Sequence, residues 1–258
     1  MGRIIAVANQ KGGVGKTTTS VNLSAALALS RRSVLLVDMD PQGNATSGLG
    51  IEAASITCTV YDCLIRGKAA ADAVVQTGVA GLSLIPANAD LVGAEVELVS
   101  VHDRETILKQ ALKDIAPQYD CIILDCPPAL GLLTINALTA AQAVLIPVQC
   151  EYYAMEGLGR LLTNVKRIQD SLNPALELEG IVLTMFDARN SLARQVMEEI
   201  RTHFKEKVFQ TVIPRNVTLA EAPSYGRPVL LYNAASTGAQ AYLELAKEFL
   251  KHGEKSAR

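Results

Sequence analysis

The chain has 258 residues, 49% hydrophobic and 19% charged, with a formal net charge of -2. That balance suits one large core and excludes a disordered chain or one that holds nucleic acid by bulk basicity. Five cysteines, at positions 58, 63, 121, 126 and 150, form no Cys-x-x-Cys pair, no apolar run approaches the roughly 20 residues that span a bilayer, and no signal-peptide pattern opens the chain. Residues 1–258 therefore read as a single reduced, cytoplasmic domain.

Ile4 to Ala8 is an apolar run of strand length, and from Thr17 onward Val21, Leu23, Ala26 and Leu27 recur at helical spacing. Between them lies Lys11-Gly12-Gly13-Val14-Gly15-Lys16-Thr17-Thr18, a glycine-rich turn closed by Lys-Thr where a P-loop must sit. In such a loop the glycine N–H groups and the helix N-terminus point at phosphates. Lys16 reaches the β and γ phosphates, and the Thr17 hydroxyl holds Mg²⁺. A nucleotide is the first ligand to expect. The general template places glycine five positions before the closing Gly-Lys pair, where this chain has Gln10, and a second lysine, Lys11, follows directly.

The second apolar run, Val34 to Val37, ends in Asp38-Met39-Asp40-Pro41-Gln42-Gly43-Asn44, a loop too polar for a core and facing the P-loop edge. Asp38 alone suits a solvated strand-ending turn, whereas Asp40 is a candidate for orienting a water beside a metal-bound phosphate. Leu82 to Pro86 follows, then a mixed helical pattern with Leu91, Val92, Glu95, Leu98, Leu108 and Leu112. Cys121 to Leu124 delivers Asp125, followed by Cys126-Pro127-Pro128. This is the Walker B arrangement, with Asp125 holding Mg²⁺ through water, so Thr17, Asp40 and Asp125 form the expected metal set. Cys126 lacks metal-ligand spacing and reads as packing.

Ala143 to Val148, Gly180 to Met185 and Val208 to Ile213 complete the apolar runs. Uninterrupted hydrophobicity fits strands covered on both faces, which predicts an α/β fold: three layers, a mostly parallel twisted sheet flanked by helices, with ligands at the strands' carboxyl ends. After Phe186-Asp187-Ala188-Arg189-Asn190, the residues Leu192, Val196, Ile200 and Phe204 should bury one side of a helix while Arg194, Arg201 and Lys205 line another. From Gly238 to Leu250, Tyr242, Leu245, Ala246 and Phe249 form the stripe of a docking helix.

The strings Lys11 to Thr18, Asp38 to Asn44 and Asp125 to Pro128 closely resemble the ParA, MinD and nitrogenase-iron-protein superfamily, and within it the ParA/Soj partition ATPases, over nearly the whole chain. The resemblance implies a P-loop NTPase fold, ATP with Mg²⁺, and a homodimer formed on ATP binding in which Lys11 crosses to the phosphates of the other subunit. It also implies that Asp40 positions the attacking water, that Pro214 and Asn216 border adenine, and that residues 91 to 116 lie near the dimer interface. Arg189 matches an arginine that chromosomal relatives use to bind double-stranded DNA without sequence preference, with Arg194, Arg201, Lys205 and Arg215 as neighbours. Thr218 stands where many relatives are basic, and Arg215, Arg227 or Lys166 and Arg167 are the candidate substitutes. A ParB-type partner and a nucleoid-associated location are implied as well. The rival within the superfamily is a MinD-like membrane ATPase of division-site placement. It requires a C-terminal amphipathic anchor, and the chain ends instead in a polar tail, so stable membrane association is not expected. An iron-sulfur carrier would require paired ligating cysteines.

Overall fold

Eight strands form one sheet among the residues, 2–256, that the computed structural model describes. They are β1 (Arg3–Val7), β2 (Val34–Asp38), β3 (Val75–Gln76), β4 (Leu82–Ile85), β5 (Cys121–Asp125), β6 (Ala143–Gln149), β7 (Glu177–Phe186) and β8 (Val208–Pro214). The order across the sheet is β3-β4-β2-β5-β1-β6-β7-β8, parallel throughout except for the β3–β4 pair. The helices are α1 (Lys16–Leu29), α2 (Asn44–Gly48), α3 (Val60–Ile65), α4 (Leu91–Glu97), α5 (Ile107–Leu112), α6 (Leu132–Ala140), α7 (Ala154–Ser171), α8 (Ser191–Phe204), α9 (Val217–Glu221), α10 (Val229–Tyr232) and α11 (Thr237–Ser256).

Alternation along the strands divides the core into two layers. Ile4, Ala6, Leu35, Val37, Ile122 and Leu124 pack on one face under α3 to α8, while Ile5, Val7, Val34, Leu36 and Ile123 pack on the other against α1 and α11. Both faces are covered, so the central strands are apolar at every position. Parallel strands joined by helices bring their carboxyl ends to one edge. There Asp125 is the register partner of Val7 on one side and of Asp38 on the other.

Three details differ from the sequence reading. The edge strand β3 is only two residues long and antiparallel, too short to leave an apolar run. On α8 the buried positions are Ala193, Val196 and Ile200; Leu192 is 39% exposed, so the apolar stripe is rotated by one residue at its start. On α4, Leu91 is buried but Val92 faces outward, which makes only half of that segment's apolar residues core. The final helix does dock: Ala239, Tyr242, Leu245, Ala246 and Phe249 are buried in the layer that holds α1 and β8.

Candidate nucleotide site and basic surface

The loop after β1 has the backbone of a phosphate cradle. Gly13 and Gly15 adopt φ of 73° and 86°, the left-handed region that strains any residue with a Cβ. No atom lies within 4 Å of where a Cβ on Gly12 or Gly13 would stand, so the concave side of the loop is open. Neighbouring strands fix the loop from below. The Asn9 amide donates to the Pro147 carbonyl (2.7 Å) and its Oδ1 accepts the Lys11 N–H (3.0 Å), while the Thr184 hydroxyl donates to the Val14 carbonyl (2.8 Å). Lys16 is buried and curls back over the loop, its Nζ donating to the Lys11 carbonyl (3.1 Å). Burial lowers its pKa, and the carboxylates of Asp125 and Asp40 oppose that fall.

Beneath the cradle sits Asp125, fully buried. Its Oδ1 accepts the Ser20 hydroxyl (2.8 Å), and its Oδ2 has no hydrogen-bond partner. Burial pushes this carboxyl upward and the Asp38 charge adds to the rise, while the hydrogen bond from Ser20 works against it. A buried carboxylate oxygen without a donor is a destabilising arrangement that a hard divalent cation relieves, so the residues present fit Mg²⁺. Thr17, Lys16 and Asp40 line one cavity of about 360 Å³ with the loop glycines and Gln42. Asp40 is 8% exposed, and its Oδ1 accepts the Gln42 N–H (2.9 Å).

Asp38 is not the solvated turn residue that the sequence suggests. It is fully buried, and its carboxylate accepts the N–H groups of Asp40 (3.1 Å) and Thr46 (2.9 Å) and the Thr46 hydroxyl (2.7 Å). Burial raises its pKa, and the hydrogen bonds from Thr46 and Asp40 hold against that rise.

A second, mostly apolar cavity of about 340 Å³ adjoins the first at Gly15 and Thr18, walled by Met185, Pro214, Asn216 and Tyr242. Its size and lining suit a planar heteroaromatic ring. The sequence reading gives the Asn216 side chain to a base edge, and within the protein each end of its amide makes one hydrogen bond. Oδ1 caps α9 by accepting the Leu219 N–H (3.1 Å), and Nδ2 donates to the Thr237 hydroxyl (2.9 Å). Asn216 therefore lines the cavity with its side chain anchored to α9 and Thr237, leaving one Nδ2 hydrogen uncommitted.

Lys11 turns away from its own loop. Its ammonium pairs with Glu151, in the turn between β6 and α7, and its side chain is about half exposed. The candidate basic residues split into two groups. Arg189, Arg194 and Arg215 gather where β7 and β8 end, and Arg215 lines the apolar cavity. Arg189 Nε and Nη2 grip both oxygens of Asp187 (2.9 and 2.7 Å), Arg194 Nη1 donates to the Ala188 carbonyl (2.8 Å), and Arg215 follows β8 and reinforces the positive charge at Asp187. Hydrogen bonds from Arg189 hold the half-buried Asp187 carboxyl down at about 2. Arg201, which donates to the Gln210 carbonyl (3.0 Å), lies seven residues beyond Arg194, roughly 10 Å along the axis of α8, and Lys205 directly follows the helix.

A family model described as an AAA domain matches residues 2–178. The sporulation initiation inhibitor protein Soj of Bacillus subtilis (strain 168) is 58% identical over 98% of this chain and all of its own length. The chain belongs to the ParA/Soj family. The chromosome partitioning protein ParA of Myxococcus xanthus (strain DK1622) is 54% identical over 97% of this chain and 89% of its own. Among solved structures, cobyrinic acid a,c-diamide synthase from Mycobacterium smegmatis, with a bound ATP analog and magnesium, is 40% identical with a TM-score of 0.86. The alignment covers 100% of this chain and 98% of that one.

Within this ParA/Soj-family chain, the residues that the sequence did not single out are second partners of those it did. Asn9 and Thr184 brace the loop, Ser20 and Thr46 donate to the two buried aspartates, Glu151 holds Lys11, and Asp187 holds Arg189. Ser20 and Asp187 had a local signal, being one helical turn past Lys16 and two residues before Arg189. Thr184 and Glu151 lie far along the chain from the groups they touch and left none.

Proposed function

We propose that this chain is a Mg²⁺-dependent ATPase of chromosome or plasmid partitioning, whose ATP-bound homodimer holds double-stranded DNA without sequence preference. Asp125 carries the reading: its unpartnered oxygen lies beneath an open glycine cradle, at the strand edge where the Asp40 loop also ends. Bound Mg²⁺ would supply charge neutralisation to the phosphates, with Thr17 and Asp125 as the residues that hold it. The loop N–H groups and Lys16 orient the triphosphate, and Asp40 orients the water whose oxygen displaces ADP from the γ phosphate. Lys11, exposed and held only by an exchangeable carboxylate, crosses to the twin subunit's phosphates, where a cation at developing negative charge speeds hydrolysis. Dimerisation and turnover are thereby linked.

The carboxyl-edge arginines, doubled by the dimer, form the DNA surface, and a ParB-type partner that stimulates hydrolysis would reset the subunit to its DNA-free form. That cycle places the protein on the nucleoid. The apolar stripe of α11 supports this over a membrane-bound reading, since Tyr242, Leu245 and Phe249 are already buried, and among the described residues no helix is long and apolar enough to cross a membrane. The test is size-exclusion chromatography with duplexes of unrelated sequence. With ATP and Mg²⁺ the protein elutes as a dimer with any duplex, with ADP as a free monomer; retention independent of nucleotide would overturn the proposal.

A further inference from the structure

Thr46 lies on α2, 4% exposed, with both of its donors turned to the carboxylate that precedes the Asp40 loop. Its N–H and its hydroxyl both donate to Asp38 Oδ2 (2.9 and 2.7 Å). The same hydroxyl accepts the Ala87 N–H (3.1 Å) from the segment after β4. The remaining Asp38 oxygen accepts the Asp40 N–H (3.1 Å). One buried carboxylate and one hydroxyl thus tie the end of β2, the start of α2 and the exit of β4 to the backbone of Asp40. The intervening loop runs through Pro41 and Gln42 to Gly43, which takes a left-handed φ of 62°, and its own bonds, Gln42 N–H to Asp40 Oδ1 and Gly43 N–H to the Asp40 carbonyl (both 2.9 Å), are local to the turn.

We infer that Thr46 is a positioning residue for hydrolysis, acting through Asp38 to fix the Asp40 backbone and hence the carboxylate that orients the attacking water. The inference rests on Asp40 having that role. Removing the hydroxyl leaves Asp38 Oδ2 with one donor and the Ala87 N–H with no acceptor, so the loop gains room to shift without any change in the phosphate cradle. A displacement near 1 Å at a reacting group costs on the order of 100-fold in rate.

The test compares Thr46→Val, Thr46→Ala and Thr46→Ser in the full chain, measuring steady-state hydrolysis, binding of a fluorescent ATP analogue and thermal unfolding. Thr46→Val and Thr46→Ala should lower kcat by about 10- to 100-fold with KM and analogue affinity within about twofold, and Thr46→Ser should stay within about threefold of wild type. The Ala variant, which only truncates, keeps the test alive if Val fails to fold. Unchanged kcat in Val or Ala, a loss shared between KM and kcat, or a Ser variant as slow as Ala would overturn the inference. Asp40→Ala separates the two claims. Normal turnover there removes the Asp40 role itself, whereas a dead Asp40→Ala beside a normal Thr46→Ala removes only the Thr46 clasp.

Discussion

Asp125→Asn should stabilise the ligand-free protein and at the same time end its Mg²⁺-dependent activity. Asp125 is fully buried, one of its oxygens has no partner, and the Asp38 carboxylate is its register neighbour. An uncompensated buried charge costs several kcal/mol. Asparagine keeps the shape and an oxygen for Ser20, although its amide stays partly unsatisfied, at about 1–3 kcal/mol. Lys16 retains Asp40 as a counter-charge. The balance favours the variant by about 1–3 kcal/mol, which at this chain length raises Tm by roughly 2–4 °C per kcal/mol. Burial pushes the Asp125 carboxyl up to about 7. A carboxyl raised in the folded state contributes stability below its ordinary value and loses it as pH rises through the raised one, so the variant's advantage should widen between about pH 4 and 7 and level off above. Ligand reverses the order, because saturation at 100 times Kd adds about 2.7 kcal/mol to the wild type and the variant lacks the carboxylate that holds Mg²⁺. Calorimetric melts in EDTA and in Mg²⁺-ATP should therefore cross. A variant that melts below wild type in EDTA, or that keeps the full Mg²⁺ increment, would refute the reasoning.

Arg189→Glu should weaken DNA retention and flatten its salt dependence by about one unit of log–log slope for each phosphate it no longer neutralises, read by filter binding across a salt series. Arg201→Glu, at the far end of α8, should do much less; equal effects would move the DNA surface off the strand edge. Asp187→Asn releases Arg189 from its bidentate partner and should tighten the same binding, whereas weaker binding would mean that Asp187 aims the arginine at DNA. Glu151→Gln frees Lys11 from an exposed ion pair of the kind worth at most about 1 kcal/mol, so half-maximal dimerisation should need up to about fivefold less ATP. Light scattering over an ATP titration measures this, and an unchanged or higher requirement would contradict it.

The sequence was most legible where the backbone itself carries the signal. Gly13 and Gly15 mark left-handed positions, and the apolar runs before Asp38 and Asp125 mark buried parallel strands, so the cradle and both aspartates could be placed on one edge in advance. Side-chain commitments were not legible. Asp38 and Asp40 look alike in sequence, yet one is buried under three donors and the other lines the phosphate cavity; burial depends on α2 folding back over the strand end. The helix cap made by Asn216 was not legible either, because it depends on α9 starting at Val217. The basic residues Arg194 and Arg201 share a face of α8 by periodicity, but of the five candidates it is Arg215, beyond β8, that lines the apolar cavity.

The central claim is that Lys11 of one subunit completes the phosphate site of its twin. The most direct measurement is multi-angle light scattering of wild type and Lys11→Ala with ATP and Mg²⁺, alongside their hydrolysis rates. The account predicts a dimer and turnover for the wild type and a nucleotide-binding monomer with little turnover for the variant. A Lys11→Ala protein that dimerises and hydrolyses ATP like the wild type would contradict it.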